Sequence, residues 1–486
     1  MNTFDASKAP GRNAYDTDVP PNLLEFMLRS WSPKARRLPK VMPNAANFRA
    51  RRQRLSQKFA GELLVIPTGH PKVRANDTYY PFRPGTNFYY LTGAFEPDCV
   101  LVMLPRGDTH EHLLFVEPNP GKTDSTFFTD RKKGELWEGY RPGVPESAAR
   151  YAIACRPLPE LEATLRGVMT GGGTPVRVIR GMSVATESLL GKGAKDQPAR
   201  DSELEAFLSE MRLLKDADEV KALHSAMLAT KRGFEDVIAR LKTAKSEREL
   251  EGVFWTRARS EGNDVGYTSI VASGCHACTL HWKHNDGDIR KGDLLLLDAG
   301  IEGNSLYTAD ITRTLPIAGK FTREQRAVYE IVLEAQNAAL KLVRPGNDFM
   351  APNKAAMEVL ARGLERLKIL PMTAEEALRD ENQFYRRYSL HNVSHMLGLD
   401  VHDCAQARAE TYKFGRLEPG MVLTVEPGLY FQSDDLTVPA KFRGIGVRIE
   451  DDVLVTQKGH RVLSSSLPRE VKEVEAWMKD IWKRRR

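Results

Sequence analysis

Four consecutive leucines, Leu294–Leu297, run directly into Asp298. A short apolar run of this kind reads as a strand covered on both faces, so the chain must supply packing above and below it. Nothing apolar favours a carboxylate at the end of such a strand. Gly300, Gly303, Asn304 and Ser305 follow as a turn-rich segment, and a second strand, about Tyr307 to Leu315, carries Asp310. The simplest geometry is a hairpin that sets Asp298 and Asp310 face to face. Two carboxylates held together away from water repel, so one keeps a proton or both bind a cation. Ordinary turn and strand-end acids would leave the same trace, and the hairpin alone does not choose between the two.

The rest of the chain shows how such a hairpin is housed. At 486 residues the chain exceeds one typical core, and roughly 150 residues per domain points to two to four. Residues 1–45, rich in Pro, Asn and Asp with a short apolar patch at Leu23–Met27, read as an arm. From about residue 46 a helix over RRQRLSQKF is followed by strands at Glu62–Pro67, Phe88–Thr92, Cys99–Leu104, His112–Glu117 and Val176–Ile179. Gly191–Asp201 (GKGAKDQPARD) has the composition of a linker, and the boundary is placed near residue 200. Helical periodicity then takes over, at 217–241 and from Glu247 to Gly262. Strands cluster from Tyr267 to Ile317. Thr322 with Gln325 forms a capping-box signature for a helix Arg323–Val343. A helix over Pro352–Leu367, strand groups at Leu423–Tyr430 and Val447–Val455, and a closing helix carrying Val471, Val474, Trp477, Met478 and Ile481 complete the pattern. The fold class is α/β (α+β): a mixed-sheet N-terminal domain over 46–200 with flanking helices, then a domain over 201–486 that runs helix–helix–sheet twice.

Composition narrows the function classes. Apolar content of 41% and charged content of 28% are those of a globular protein. No run of about 18 apolar residues suggests a membrane span. The first residues lack the apolar core of a secretory signal, so a cytoplasmic protein without membrane partners is expected. Residues 1–200 hold 29 Lys and Arg against 20 acids, and residues 201–486 hold 42 against 44. The basic N-terminal part carries no zinc-finger spacing and no RNA-binding signature, so a solvated surface is expected there rather than a nucleic-acid partner. The run Lys483 to Arg486 reads as a fraying helix end. Five cysteines without a second CxxC beside Cys275–Cys278 argue for reduced thiols and an incidental motif.

Three further stretches place hard-metal ligands in or at the ends of apolar strands. His391, His395 and His402 lie in HNVSHMLGLDVHD, Glu426 interrupts VLTVEPGLY before Pro427-Gly428, and Glu450 follows Arg448 in GIGVRIEDD. Each alone has a plain explanation, as a turn acid or a satisfied core histidine. Together, Asp298, Asp310, Glu426 and Glu450 all interrupt strands, and His395 adds a nitrogen. Four carboxylates balance two divalent cations, and the oxygen-rich set favours a hard ion such as Mn²⁺. A paired site holds its ions roughly 3.5–4 Å apart, bridged by carboxylates and a hydroxide.

In this order and context the chain resembles the pita-bread metallopeptidases, and within them the aminopeptidase P type. The segments DAG, ADITRTLPIAGKFT, HNVSHMLGLDVHD, LTVEPGLY and RGIGVRIEDD carry the likeness, with RANDTYYPFRPGTNFYYLTGAFEPDCVLVMLP and SEMRLLKDADEV extending it over about residues 46–482. The resemblance implies that Asp298 binds one metal, that Asp310 and Glu450 bridge both, and that His395 and Glu426 complete the other. It implies that His281 sits by the substrate, that His391 and His402 flank it and assist proton movement, and that Arg448 pairs with a ligand carboxylate. Two departures stand out. Asp298 and Asp310 are twelve apart, one more than the common spacing, and a longer turn at Ile301–Leu306 would absorb the extra residue. Tyr89 takes an aromatic position at the mouth of the site.

The implied activity is release of the N-terminal residue from peptides with proline second, by a hydroxide bridging two metal ions. A bond before proline is a tertiary amide without N–H, so cleavage rests on a shaped pocket and an activated water. His281 would assist the oxyanion, and Glu426, with His402, would protonate the prolyl nitrogen. Two alternatives use the same chain differently: a prolidase restricted to Xaa-Pro dipeptides, with identical ligands, and a metal-free pita-bread binding module, some of which bind histones. The five ligand types in place speak against the second and against creatinase-like metal-free hydrolysis. The resemblance also implies a homodimer or homotetramer.

Overall fold

The computed structural model describes residues 17–32, 37–170, 173–191 and 198–484. Two compact units emerge, Met1–Leu204 and Glu205–Arg486.

The N-terminal unit is built on a five-stranded mixed sheet. In chain order its strands are β1 (Leu63–Pro67), β2 (Val100–Arg106), β3 (Thr109–Val116), β4 (Ala154–Pro157) and β5 (Val176–Val178), arranged β4-β3-β2-β1-β5. The first three pair antiparallel, while β3–β4 and β1–β5 are parallel. β1 is buried throughout, as expected of a central strand read as LLVIP. Phe88–Thr92, expected as a strand, is instead part of a helix, Thr86–Thr92, ended by Gly93 at φ 69°. Its five residues are all buried, so the β-favouring aromatics are fitted to a packing surface that a short helix supplies equally well. The apolar patch Leu23–Met27 lies on the helix Pro21–Leu28, which buries none of its residues. Within the expected linker, residues 192–197 fall outside the described residues, and Pro198–Asp201 begin a helix reaching Leu213. Gly171, Gly172, Arg485 and Arg486 also fall outside them.

The C-terminal unit opens with two long helices, Ala217–Leu241 and Glu247–Glu261. Asp216 caps the first through the backbone N–H groups of Asp218 and Glu219, and Ser246 caps the second. A three-stranded sheet follows: β6 (Ile270–Ser273), β7 (Leu294–Ala299) and β8 (Ile311–Pro316), with β7 in the middle. All six residues of β7 are buried, which accounts for the leucine run. Helices Arg323–Leu342, with the Thr322–Gln325 capping box in place, and Ala351–Arg366 form the second helical pair.

The second strand cluster is split where its acids fall. β9 (Val422–Val425) and β10 (Gly428–Tyr430) pair with β12 (Asp451–Val455) and β11 (Gly446–Arg448), respectively. β13 (His460–Val462) extends β12. The long hairpin therefore changes sheet at Glu426-Pro427 on one side and Ile449-Glu450 on the other. Pro427 cannot donate to a ladder, and the break frees both glutamates to leave the pleat. Among the described residues no helix is long and apolar enough to cross a membrane.

Candidate metal centre

Asp298 is the fifth residue of β7, and Asp310 immediately precedes β8. The register differs from a face-to-face arrangement, because Asp298 lies opposite Thr312. Asp310 is two residues from Thr312, so the two-residue period of the strand keeps it on the face of Asp298. The Tyr267 hydroxyl lies 2.6 Å from Asp298 Oδ1 and 2.5 Å from Asp310 Oδ1, joining the pair through one proton. The loop that absorbs the longer spacing turns at Leu306, at φ 62°.

The loop after His391 is stitched to β9. Thr424 N–H donates to the His395 carbonyl at 2.9 Å, and Glu426 N–H donates to the Val393 carbonyl at 2.8 Å. This brings His395 Nε2 to 3.3 Å from Asp310 Oδ2 and 3.4 Å from Glu426 Oε1. Glu450 accepts from Thr312 Oγ1 at 2.7 Å. Ligand atoms of Asp310, His395 and Glu450 all lie within 4.8 Å of one another.

The remaining expected residues ring this group. Arg448 Nη2 donates to Asp298 Oδ2 at 2.5 Å and Nη1 to the Tyr430 hydroxyl at 2.9 Å. His391 Nε2 lies 2.8 Å from the same hydroxyl, and its Nδ1 lies 3.7 Å from Glu426. The His402 ring stands edge-on to His395 at 4.4 Å. A single cavity of about 490 Å³ is lined by His281, Asp298, Asp310, His391, His395, His402, Glu426, Arg448 and Glu450. The structure thus gathers every expected site residue. The Cys275–Cys278 motif stays outside: Cys275 is exposed and Cys278 is buried, its thiol donating to the Phe431 carbonyl at 3.2 Å.

The electrostatics fit a bound cation. Burial, with the neighbouring acids adding to it, holds Glu450 well above the usual carboxylate range. Burial likewise raises Asp298 despite the opposing Arg448 charge, and lifts Glu426 to about 7 against the pull of His395. Four acids share the pocket with one guanidinium already paired to Asp298, and positive charge in their midst would relieve the cost. The histidine is oriented for such a role. Against its burial, the Asp310 hydrogen bond and the Glu426 charge raise His395 to about 9 without an ion; its Nδ1 lies 3.1 Å from the Met396 carbonyl, which leaves Nε2 as the nitrogen that would give up its proton to a metal. One buried oxygen, Asp452 Oδ1, has no hydrogen-bond partner among the described residues, while Oδ2 accepts from Asp310 N–H at 3.1 Å.

Sequence reasoning missed three contributors. Tyr267 stands 31 residues before Asp298 in a stretch without a charged or periodic signal. Asp452 was visible only as one of two acids after Glu450. Lys283, another residue lining the cavity, had no feature to separate it from a surface lysine.

Comparison with known proteins defines the class. Residues 221–457 match metallopeptidase family M24, and residues 48–176 match the aminopeptidase P N-terminal domain. The chain belongs to metallopeptidase family M24: it is a hydrolase acting on peptides, and its C-terminal unit has the pita-bread fold. Family membership implies divalent metal ions.

Among its relatives, Xaa-Pro aminopeptidase 1 of Streptomyces coelicolor is 49% identical over 469 residues, 96% of this chain and 94% of the relative. The Escherichia coli Xaa-Pro aminopeptidase is 34% identical over 89% of this chain and 97% of its own length. The structure of E. coli aminopeptidase P with the inhibitor Pro-Leu superposes with a TM-score of 0.79 at 31% identity, over 91% of this chain and all of that one.

Proposed function

We propose that this chain is a dinuclear metal-dependent aminopeptidase that releases the N-terminal residue from peptides with proline in the second position. The observation that carries the reading is the convergence of Asp310, His395 and Glu450 within 4.8 Å, with Asp298 and Glu426 in the same cavity. In this reading Asp298, Asp310, His395, Glu426 and Glu450 would hold the two ions, with Mn²⁺ suited to the oxygen-rich set. When bound, the ions supply Lewis acidity that activates a water and polarises the scissile carbonyl.

The chain's own residues do the rest. Arg448 and Tyr267 fix Asp298 through hydrogen bonds at 2.5 and 2.6 Å, one to each carboxylate oxygen, which sets the plane of the carboxylate and the direction of its remaining lone pairs. His281, lining the cavity, donates to the carbonyl oxygen as negative charge develops there. The prolyl nitrogen has no hydrogen of its own and must gain one to leave. Glu426, held near neutrality, takes a proton from the attacking water and delivers it there. His391 and His402 flank the route. Burial, with the Arg448 charge adding to it, lowers His391 to about 4, which keeps it neutral. Burial also lowers His402, so both rings stand beside the route as neutral hydrogen-bonding groups. The substrate's free amine meets the acidic end of the cavity, which makes cleavage start at the chain end.

The same reading assigns residues 1–45 to an arm, 46–200 to an N-terminal domain and 201–486 to the catalytic domain, in a cytoplasmic homodimer or homotetramer. The test is a length series of proline-containing peptides, assayed with Mn²⁺ and after chelation. A tripeptide with proline second should lose its first residue only in the metal-loaded sample. Cleavage confined to Xaa-Pro dipeptides, or unaffected by chelation, would overturn the assignment.

A further inference from the structure

The segment between β6 and β7 lines the cavity with Leu280, His281 and Lys283, while Trp282 and His284 beside them are pinned elsewhere. Trp282 Nε1 donates to Glu247 at 2.8 Å, and the indole stacks on His276 at 3.9 Å. His284 packs edge-on against Trp282 at 5.4 Å, and its carbonyl accepts from Arg248 at 2.8 Å.

Glu247 itself is fully buried at the start of the helix Glu247–Glu261. It also accepts from Ser273 N–H at 2.7 Å and Gly287 N–H at 2.8 Å, and lies 2.9 Å from His276 Nδ1. One carboxylate therefore ties both ends and the middle of this segment to a helix. Trp282 is anchored toward Glu247, and His281 and Lys283 on either side of it line the cavity.

Lys283 is exposed where it lines the cavity, whereas Asp298, Asp310 and Glu450 are buried. The four acids stand with Arg448, which is committed to Asp298. Lys283 makes no ion pair with any of the described residues. An ammonium group there repels a peptide's free amine and attracts a carboxylate. The proposed function, on which this step rests, sets the amine against the acids, so the part of the substrate that reaches Lys283 lies beyond the proline. We propose that Lys283 is a specificity residue that selects substrates bearing a carboxylate just after the prolyl residue. That carboxylate is either the C-terminus of a short peptide or an acidic side chain at the third position. The carboxylate replaces water around an otherwise unpaired ammonium, on a segment whose position is set before substrate arrives.

Four tripeptides with proline second separate the sources: one with alanine third as the free acid, the same as its amide, and amides with glutamate or glutamine third. With the manganese-loaded full-length enzyme, KM for each acid should fall roughly fivefold below that of its neutral partner. The alanine pair reports the terminal carboxylate and the glutamate–glutamine pair the side chain. The ratio should collapse toward one in Lys283→Gln, invert in Lys283→Glu, and shrink with added salt. Equal KM within both pairs for the native enzyme, or an undiminished ratio in Lys283→Gln, overturns the assignment. If the native enzyme cleaves all four equally, the activity stands and Lys283 alone loses its role. If it cleaves none, the proposed function fails and this inference goes with it.

Discussion

Asp298, Asp310 and Glu450, which are buried, and Glu426, which is largely so, are each expensive where they stand, beside others of their own charge. Glu426 was legible in the sequence as an acid interrupting a strand, and its chemistry can be isolated. Glu426→Gln keeps the shape and removes the proton carrier, so kcat should fall by roughly 10²–10⁴ while circular dichroism and melting stay native-like. Tyr267 was not legible, because its value comes only from touching two carboxylates at once. Tyr267→Phe removes that shared proton without changing the ring. Metal affinity, followed by titration of the apo-enzyme, should weaken by about ten- to a hundredfold.

At the scale of elements, local signals held where the forces were local. The Thr322–Gln325 capping box needs only four residues and formed with both reciprocal bonds, at 2.9 and 3.2 Å. Thr322→Ala should cost about 1 kcal/mol in a denaturant melt. Phe88–Thr92 went the other way, since aromatic residues favour any half-flat apolar surface and the partner decides which element presents it. A non-local case joins the helix end at Arg212 to the segment after His402. Buried Asp403 accepts from Arg212 Nε at 2.9 Å and Lys215 Nζ at 3.2 Å. Asp403→Asn would take the shared carboxylate charge from between two buried cations, and should cost about 3–5 kcal/mol by equilibrium unfolding.

At the scale of the whole molecule, acid should weaken the two units in separate pH ranges. In the N-terminal unit, burial foremost and then the Arg52 charge lower His112 from 6.5 to about 4. The unfolded chain therefore binds that proton first, and stability should fall as pH drops from 6.5 toward 4. His112→Gln should flatten that limb of a stability–pH curve. In the C-terminal unit, burial alone would raise Asp403, but the Lys215 and Arg212 charges outweigh it and hold the carboxyl below its ordinary value. Its contribution is complete above the unfolded value and should disappear as pH falls through the lower, folded one.

What the sequence determined by itself is whatever depends on neighbours along the chain. It set the buried leucine strand, the helical stripes, the caps, and the identity of the five candidate ligands, because an acid inside an apolar strand is conspicuous wherever the strand ends up. Tertiary structure alone decided which atoms meet. It placed Asp298 opposite Thr312 rather than Asp310, split the second hairpin at both glutamates, and put Tyr267 between two carboxylates. It also set Lys283 at the cavity beside a Trp282 fastened to Glu247. These are distances between residues tens to more than a hundred positions apart, set by sheet register and packing, and no local pattern encodes them.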